Sequence, residues 1–410
     1  MNPAYTGQGR LQVSVTTESP VVPVSGARVR ISDPADGAVL QELITDSSGQ
    51  TEPVELPTPP LAYSVKDEEK KPYASYGVTV FAEGFKTLHI SGVQLLPDSL
   101  AVQPAALTPA RTGGVNVRNL YIPPHVLWGN YPPKIPEAEV KPLPDPGGLV
   151  VLPEPVIPEY IIVHLGKPGD QGVKDEWVLF RDYIKNVACS EIYATWERET
   201  IKANVLAIIS FTLNRVYTEW YRGKGYEFTI TNSTAYDQSF VPERTIYDAI
   251  SVVVDDLFNT YITREGAGQP LLTQYCDGRQ SQCEGLSQWG SQALGEQGWD
   301  AISILRRYYG SDIYLAPAEK VEGIPQSFGG VTLALGSAGE DVRTIQLQLN
   351  RISENFPALP KVRSDGVYGR ETEESVRTFQ SIFHLPQTGE VDFATWYSIS
   401  NIYVAVAKLA

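Results

Sequence analysis

Eleven prolines fall between residues 123 and 158, among them Pro132-Pro133, Pro142, Pro144, Pro146, Pro153, Pro155 and Pro158. Each removes a backbone donor and locks φ, so neither a helix nor a central strand is expected there. Residues 116–158 are therefore expected to form an extended strap. A chain of 410 residues interrupted in this way is too long for one ordinary core, and roughly two to four domains are expected. Within the strap, Asp145-Pro146-Gly147-Gly148-Leu149-Val150 reads as the point most open to a protease.

The two sides of the strap differ in period. Before it, Leu11, Val13 and Val15 alternate with polar residues, as do Ala27, Val29 and Ile31, and Tyr76, Val78 and Val80. Asp33-Pro34-Ala35-Asp36-Gly37 and Asp46-Ser47-Ser48-Gly49 supply turns between them, so residues 1–115 read as a small β-sandwich. Its spacing is similar to that of carboxypeptidase-regulatory (transthyretin-like) modules. After the strap, residues 159–315 alternate strand and helix patterns. Helical spacing is clear in Ile201, Val205, Ile208, Leu213 and Val216, and again from Ser287 to Tyr309. A linker at 316–328 leads to a compact helical unit at 329–410. The expected fold class is multidomain α+β.

Composition excludes several functions. No run of about eighteen apolar residues exists, so no membrane span is expected. A formal charge of −15 argues against nucleic acid as a partner. Met1 to Gly9 lacks a basic region followed by an apolar one, so no Sec signal is expected. Cys276 and Cys283 suit a disulfide or half a metal site, and three unpaired thiols including Cys189 suit a reducing compartment equally well. The four histidines are His89, His125, His164 and His384, and only His164 lies within 159–315. A zinc amidase needs two or more His ligands, so neither metal nor cofactor is expected. A Cys–His hydrolase would have to pair Cys189 or Cys276 with His164.

The last unit carries a specific pattern. Leu335-Gly336-Ser337-Ala338-Gly339-Glu340-Asp341-Val342 precedes a helix with Ile345, Leu347 and Leu349. Asp365-Gly366-Val367-Tyr368-Gly369 then precedes a helix with Thr372, Val376, Phe379 and Gln380. Leu385-Pro386-Gln387-Thr388-Gly389 and Val391-Asp392-Phe393-Ala394-Thr395-Trp396 close the unit. This order resembles the three-helix peptidoglycan-binding domain appended to wall hydrolases. The resemblance implies a polymeric target, peptidoglycan, and no chemistry of its own.

The chemistry is expected at Glu191, in Asp182-Tyr183-Ile184-Lys185-Asn186-Val187-Ala188-Cys189-Ser190-Glu191-Ile192-Tyr193. Apolar and aromatic neighbours strip water from a carboxyl group and raise its proton affinity towards that of a general acid. A helix-end acid paired with Lys185 or Lys202 is the plain structural alternative. The stretch resembles the active-site helix of the SpoIID/LytB family of peptidoglycan-cleaving proteins. Thr200-Ile201-Lys202-Ala203-Asn204-Val205-Leu206-Ala207 follows at that family's interval. Gly285-Leu286-Ser287-Gln288-Trp289-Gly290, Gln297-Gly298-Trp299 and Ile304-Leu305-Arg306-Arg307-Tyr308-Tyr309-Gly310 match its C-terminal signature. Two departures are Ile209-Ser210-Phe211 and the run Asn232 to Gln238, where some relatives carry Cys and His. A zinc site of that kind is therefore not expected.

The resemblance implies a catalytic role for Glu191 and substrate contacts from Tyr193, Gln238, Gln274, Tyr275, Asp277, Ser287, Gln288 and Trp289. Packing and turn formation account for these residues as readily. Asp237 and Asp277 are the candidate second carboxylates. Most glycosidases need two carboxylates, whereas a lytic transglycosylase needs one, because the sugar's own hydroxyl is the nucleophile. The order of modules resembles clostridial spore cortex-lytic enzymes of the SleC type. That implies an inactive precursor located in the spore, cut by a germination protease near Gly148, Leu149, Val150, Val151 and Leu152. A non-catalytic wall-binding scaffold and an N-acetylmuramoyl-L-alanine amidase are the alternatives.

Overall fold

The computed structural model describes residues 5–18, 21–111, 113–129, 131–142 and 154–407. Gly148, Leu149, Val150, Val151 and Leu152 lie outside the described residues.

Period-two alternation builds the first unit. Its strands are β1 (Gly7–Thr17), β2 (Arg28–Ser32), β3 (Val39–Ile44), β4 (Val54–Thr58), β5 (Ala74–Phe81), β6 (Thr87–Leu95), β7 (Leu100–Leu107) and β8 (Val117–Tyr121), with a one-turn α1 (Ala62–Val65) after β4. One sheet contains β4, β1 and β7 in that order; the other runs β3-β2-β5-β6-β8. Leu11, Val13 and Val15 from the first sheet and Val29, Ile31, Val78 and Val80 from the second are at most 1% exposed. The turn after β3 is tied by the Asp46 carboxylate, which accepts from the amides of Ser48 and Gln50. Gly49 there has φ of 75°, and a Cβ would meet the Val15 carbonyl at 2.3 Å. The sandwich runs past the expected boundary at 115. Val117–Tyr121 pairs in parallel with β6 as β8, because this stretch precedes the first proline of the strap and keeps its donors.

The central unit begins with β9 (Val156–Ile157), β10 (Tyr160–His164), β11 (Asp175–Leu179), α2 (Phe180–Glu191) and α3 (Arg198–Tyr217). There follow β12 (Ile230–Thr231), β13 (Ile246–Tyr247), α4 (Asp248–Leu257), β14 (Thr260–Arg264), β15 (Tyr275–Cys276) and β16 (Leu286–Ser287). α5 (Gln288–Gly295), α6 (Ala301–Tyr309), β17 (Ile313–Pro317) and β18 (Lys320–Val321) complete it. The two short strands at 313–321 occupy part of the expected linker, and β18 pairs with β9 at the strap's end. Helix α3 is apolar on nearly every side and is the axis of the unit, with α4, α5, α6 and β14 packed around it. Several of its polar side chains tie neighbouring elements to it: Asn204 donates to Ser291 Oγ, and Ser210 Oγ accepts from the Ile262 amide.

The third unit consists of α7 (Glu340–Ser353), α8 (Arg370–Ile382) and α9 (Phe393–Ala407). Ile345, Leu349, Val376, Phe379 and Ile399 are fully buried. Leu347 is instead 52% exposed, since a residue two away from Ile345 on a helix faces almost the opposite side.

The three units are joined in space. β13 of the central unit pairs antiparallel with β7, extending the first sheet of the sandwich. Beside it, Gln103 donates to the Glu243 carbonyl and accepts from Thr245. Trp196 Nε1 donates to the Ser64 carbonyl at 2.9 Å. Phe258 meets Phe393 and Tyr397 of α9 at 5.3 and 5.1 Å. The strap is held like an extra strand: Ile135 donates to the Ala235 carbonyl, and its own carbonyl accepts from Gln274 Nε2. Further on, the Glu139 carbonyl accepts from Leu272, and Lys141 exchanges two hydrogen bonds with the Gln269 amide. Glu137 closes a fork on Arg215, at 2.9 and 2.7 Å, and Arg215 is 1% exposed.

Candidate active site

Glu191 is the last residue of α2, where unpaired helix carbonyls disfavour a negative charge. Asn186, one turn and a half earlier, fixes the facing loop through hydrogen bonds with both the amide and the carbonyl of Val241. That places the Ser239 amide 2.7 Å from Glu191 Oε1. Gln288, the first residue of α5, donates to Oε2 at 3.2 Å and to the Glu191 carbonyl at 3.0 Å. Burial raises the carboxyl's proton affinity above the ordinary range; the nearby Lys134 ammonium and the Ser239 and Gln288 hydrogen bonds oppose that rise without cancelling it. The simple ion pairs expected for a structural acid do not form. Lys185 binds Asp255 and Lys202 binds Glu199, and the cation beside Glu191 comes from the strap.

The carboxylate borders a cavity of about 50 Å³. Its walls come from three sources: His125, Tyr131 and Lys134 of the strap, Ser239 of the loop, and Tyr275, Asp277 and Gln288. Drug-sized ligands occupy pockets of about 300–1,000 Å³, so this space takes a few waters and no sugar ring. Lys134 Nζ donates to the Asp237 carbonyl and lies over the rings of Phe211 and Tyr275, at 5.8 and 5.2 Å. Burial lowers its proton affinity, while Glu191 and Asp237 act to keep it charged. His125 is buried against Tyr193, with ring centroids 5.1 Å apart, and burial holds its imidazole well below its ordinary range. The Tyr275 hydroxyl is buried and faces Glu191 without a well-formed hydrogen bond.

The expected contact residues divide into three sets. Tyr275, Asp277 and Gln288 line the cavity with Glu191. Tyr193 and Gln274 bind the strap instead: the Tyr193 hydroxyl accepts from the Leu127 amide, and Gln274 donates to Ile135. Gln238, Ser287 and Trp289 are occupied internally. Gln238 accepts from Tyr183 and Thr212 and donates to Ile208, and it has no exposed surface, so the expected sugar contact is absent in this structure. Ser287 caps α5 by accepting from Gly290. Trp289 packs on Trp196 and Tyr193 at 5.1 and 6.1 Å.

Of the candidate second carboxylates, Asp237 is taken up by Arg215, Tyr221 and Thr231 and has no exposed surface. Asp277 is different. Its Oδ1 accepts from the amides of Arg279 and Ser281 at 2.8 Å, whereas its buried Oδ2 has no hydrogen-bond partner. A Cys276–Cys283 disulfide closes the loop that carries Asp277. That bond removes Cys276 as a nucleophile. Cys189 accepts from the Tyr247 amide, burial pushes its thiol up to about 12, and His164 is bound to Asp175, so no Cys–His pair exists among the described residues.

Sequence reasoning missed His125, Tyr131 and Lys134. No local signal marks them, because their role follows from the strap returning across the central unit.

Comparison with known proteins bears on the third unit. Residues 338–399 match a peptidoglycan binding domain. The match supports a cell-wall-associated role, with peptidoglycan as a partner. No curated protein matches the chain. Among solved structures, the Bacillus anthracis TIE protein is 14% identical with a TM-score of 0.18, over 25% of this chain and 17% of that one. The minor pilin GBS52 of Streptococcus agalactiae is 13% identical with a TM-score of 0.19, over 28% of this chain and 50% of that one. The chain thus spans half or less of these two proteins, and scores this low describe no shared fold. Among the described residues, no helix is long and apolar enough to cross a membrane.

Proposed function

We propose that the chain is the inactive precursor of a peptidoglycan lytic transglycosylase, with Glu191 as its single acid and base. The observation that carries this reading is the desolvated Glu191 carboxyl at the wall of a small cavity lined by the strap, in a chain whose third unit matches a peptidoglycan binding domain. The protonated carboxyl gives its proton to the glycosidic oxygen as the bond from C1 to the leaving sugar breaks. The 6-hydroxyl of the muramic acid forms a new bond to C1, and the carboxylate takes up the hydroxyl proton. The product is a 1,6-anhydro end, and no water is consumed. Ser239 and Gln288 hold the carboxylate in place between the two transfers.

The resemblance to spore cortex-lytic enzymes supports a spore location for this chemistry, with a germination protease as activator. Closure by His125, Tyr131 and Lys134 supports the precursor state, because a glycan strand cannot reach Glu191 while the strap is docked. Mass spectrometry of peptidoglycan fragments from the strap-cut protein and its Glu191→Gln variant tests the proposal. Anhydro-muramic ends that vanish in the variant are expected; intact glycan from the cut wild type would refute it and leave a wall-binding scaffold. A second reading, hydrolysis, is favoured by Asp277, whose unpartnered Oδ2 borders the same cavity. Reducing ends in place of anhydro ends would select it.

A further inference from the structure

The outer face of the β11–β10–β12 sheet carries chemistry that the Glu191 site does not use. Ile161 and Val163 of β10 point into the main core and are fully buried, so Tyr160 and Ile162 point the other way. Over that outer face Ile162, Tyr221 and Phe228 form a small apolar cluster of their own, with Trp220 and Tyr226 against it. Beside this cluster opens a cavity of about 370 Å³, within the range of pockets that hold small ligands.

Trp177 stands on its rim. It pairs with Ile162 across the strands and remains 67% exposed, with its ring edge-on to Tyr160 at 6.1 Å. Its indole lies open beside the concavity, with an aromatic face available to a ligand. Opposite it, Glu219 and Arg222 present a carboxylate and a guanidinium, with Nε 3.6 Å from Oε2.

Glu219 has a second peculiarity. It follows the end of α3 in the left-handed region, with φ of 47°. Its amide bonds the Val216 carbonyl and the Trp220 amide bonds the Arg215 carbonyl, the helix-ending pattern that usually selects glycine. A glutamate there strains the backbone by about 1 kcal/mol. The side chain, which borders the cavity, is what glycine would lack.

We propose that this cavity is a second glycan-binding site, which takes one or two sugar rings of a peptidoglycan strand. The C–H face of a pyranose lies flat on the Trp177 indole, while Glu219 accepts from hydroxyls and Arg222 donates to hydroxyl or acetamido oxygens. The lining mixes carboxylates, Glu159, Glu219 and Glu322, with the guanidinium of Arg222, a polar set that suits the hydroxyl and acetamido groups of the sugar backbone. The proposal rests on peptidoglycan as the partner and not on the chemistry of Glu191.

The test is calorimetric titration of the full chain with chitotetraose, a soluble β-1,4-linked N-acetylglucosamine tetramer. Trp177→Ala should weaken one class of site about tenfold, and Arg222→Ala by less. The titration reads binding without turnover, so failure of the acid–base reading leaves this result standing. Both altered side chains are on the surface, and far-ultraviolet circular dichroism checks that the variants fold. Binding with unchanged affinity and stoichiometry in Trp177→Ala, or no binding by the wild type, would overturn the site.

Discussion

The central unit holds two cavities that differ in who builds their walls. The one at Glu191 is about 50 Å³ and needs the strap for one side. The one at Trp177 is about 370 Å³, and of its lining only Glu322 follows β18. Closure in the first comes from residues far apart in the chain, so it is conditional on docking. The larger space of the second comes from a strand pair, a helix end and a short loop, and the strap adds only its last residues, Val156 and Pro158. The first design suits the acid proposed at Glu191, and the second suits the proposed foothold on a polymer.

The largest expected effect separates chemistry from binding. In strap-cut protein, Glu191→Gln should lower the rate of peptidoglycan cleavage about 10³-fold, measured by released muropeptides, because a positioned acid and base contributes about 10²–10⁴-fold. A second effect tests whether docking is what closes the first cavity. Glu137→Ala leaves the Arg215 guanidinium buried with Asp237 as its remaining carboxylate. A loss of about 3 kcal/mol in denaturant unfolding is expected. A third uses pH. Burial depresses the folded-state proton affinity of His125, so stability from the neutral imidazole is present above the unfolded pKa of about 6.5 and is lost as pH falls below it. Glu191 runs the other way: its raised affinity favours the folded state at low pH, and that contribution fades as pH rises through its folded value. The protection of the Leu127 amide against exchange, corrected for the intrinsic pH dependence, should therefore fall in acid in the wild type and less so in a His125→Asn variant, by about tenfold or less. The smallest effect is a control on the comparison. Trp177→Ala should change stability by no more than about 0.5 kcal/mol, since the indole is mostly in water. A larger loss would mean that the open cavity is part of the core.

What the sequence made legible was local. The period of Leu11-Val13-Val15 and the turn at Asp46 to Gly49 need only near neighbours, and both form as read. Glu191 was legible as a candidate because its own helix and the residues just beyond it are largely apolar, a pattern readable from near neighbours. The cavity was not, because three of its walls arrive from about 50–100 residues away in sequence. Prolines explain the difference. They forbid regular structure in the strap, which is readable, but say nothing of where an extended segment will dock. Gln238 shows the opposite failure. An amide looks like a sugar ligand until Tyr183, Thr212 and the Ile208 carbonyl are seen to satisfy it.

β13 has a consequence for timing. Its pairing with β7 stitches the central unit into the sandwich's sheet through backbone hydrogen bonds that no peptide-bond cleavage between residues 142 and 154 would touch. A nicked chain would thus remain assembled, as two fragments whose separation is a first-order dissociation with its own half-life. Severing the strap would start a clock, and the escape of the sandwich from its borrowed strand would decide when it runs out.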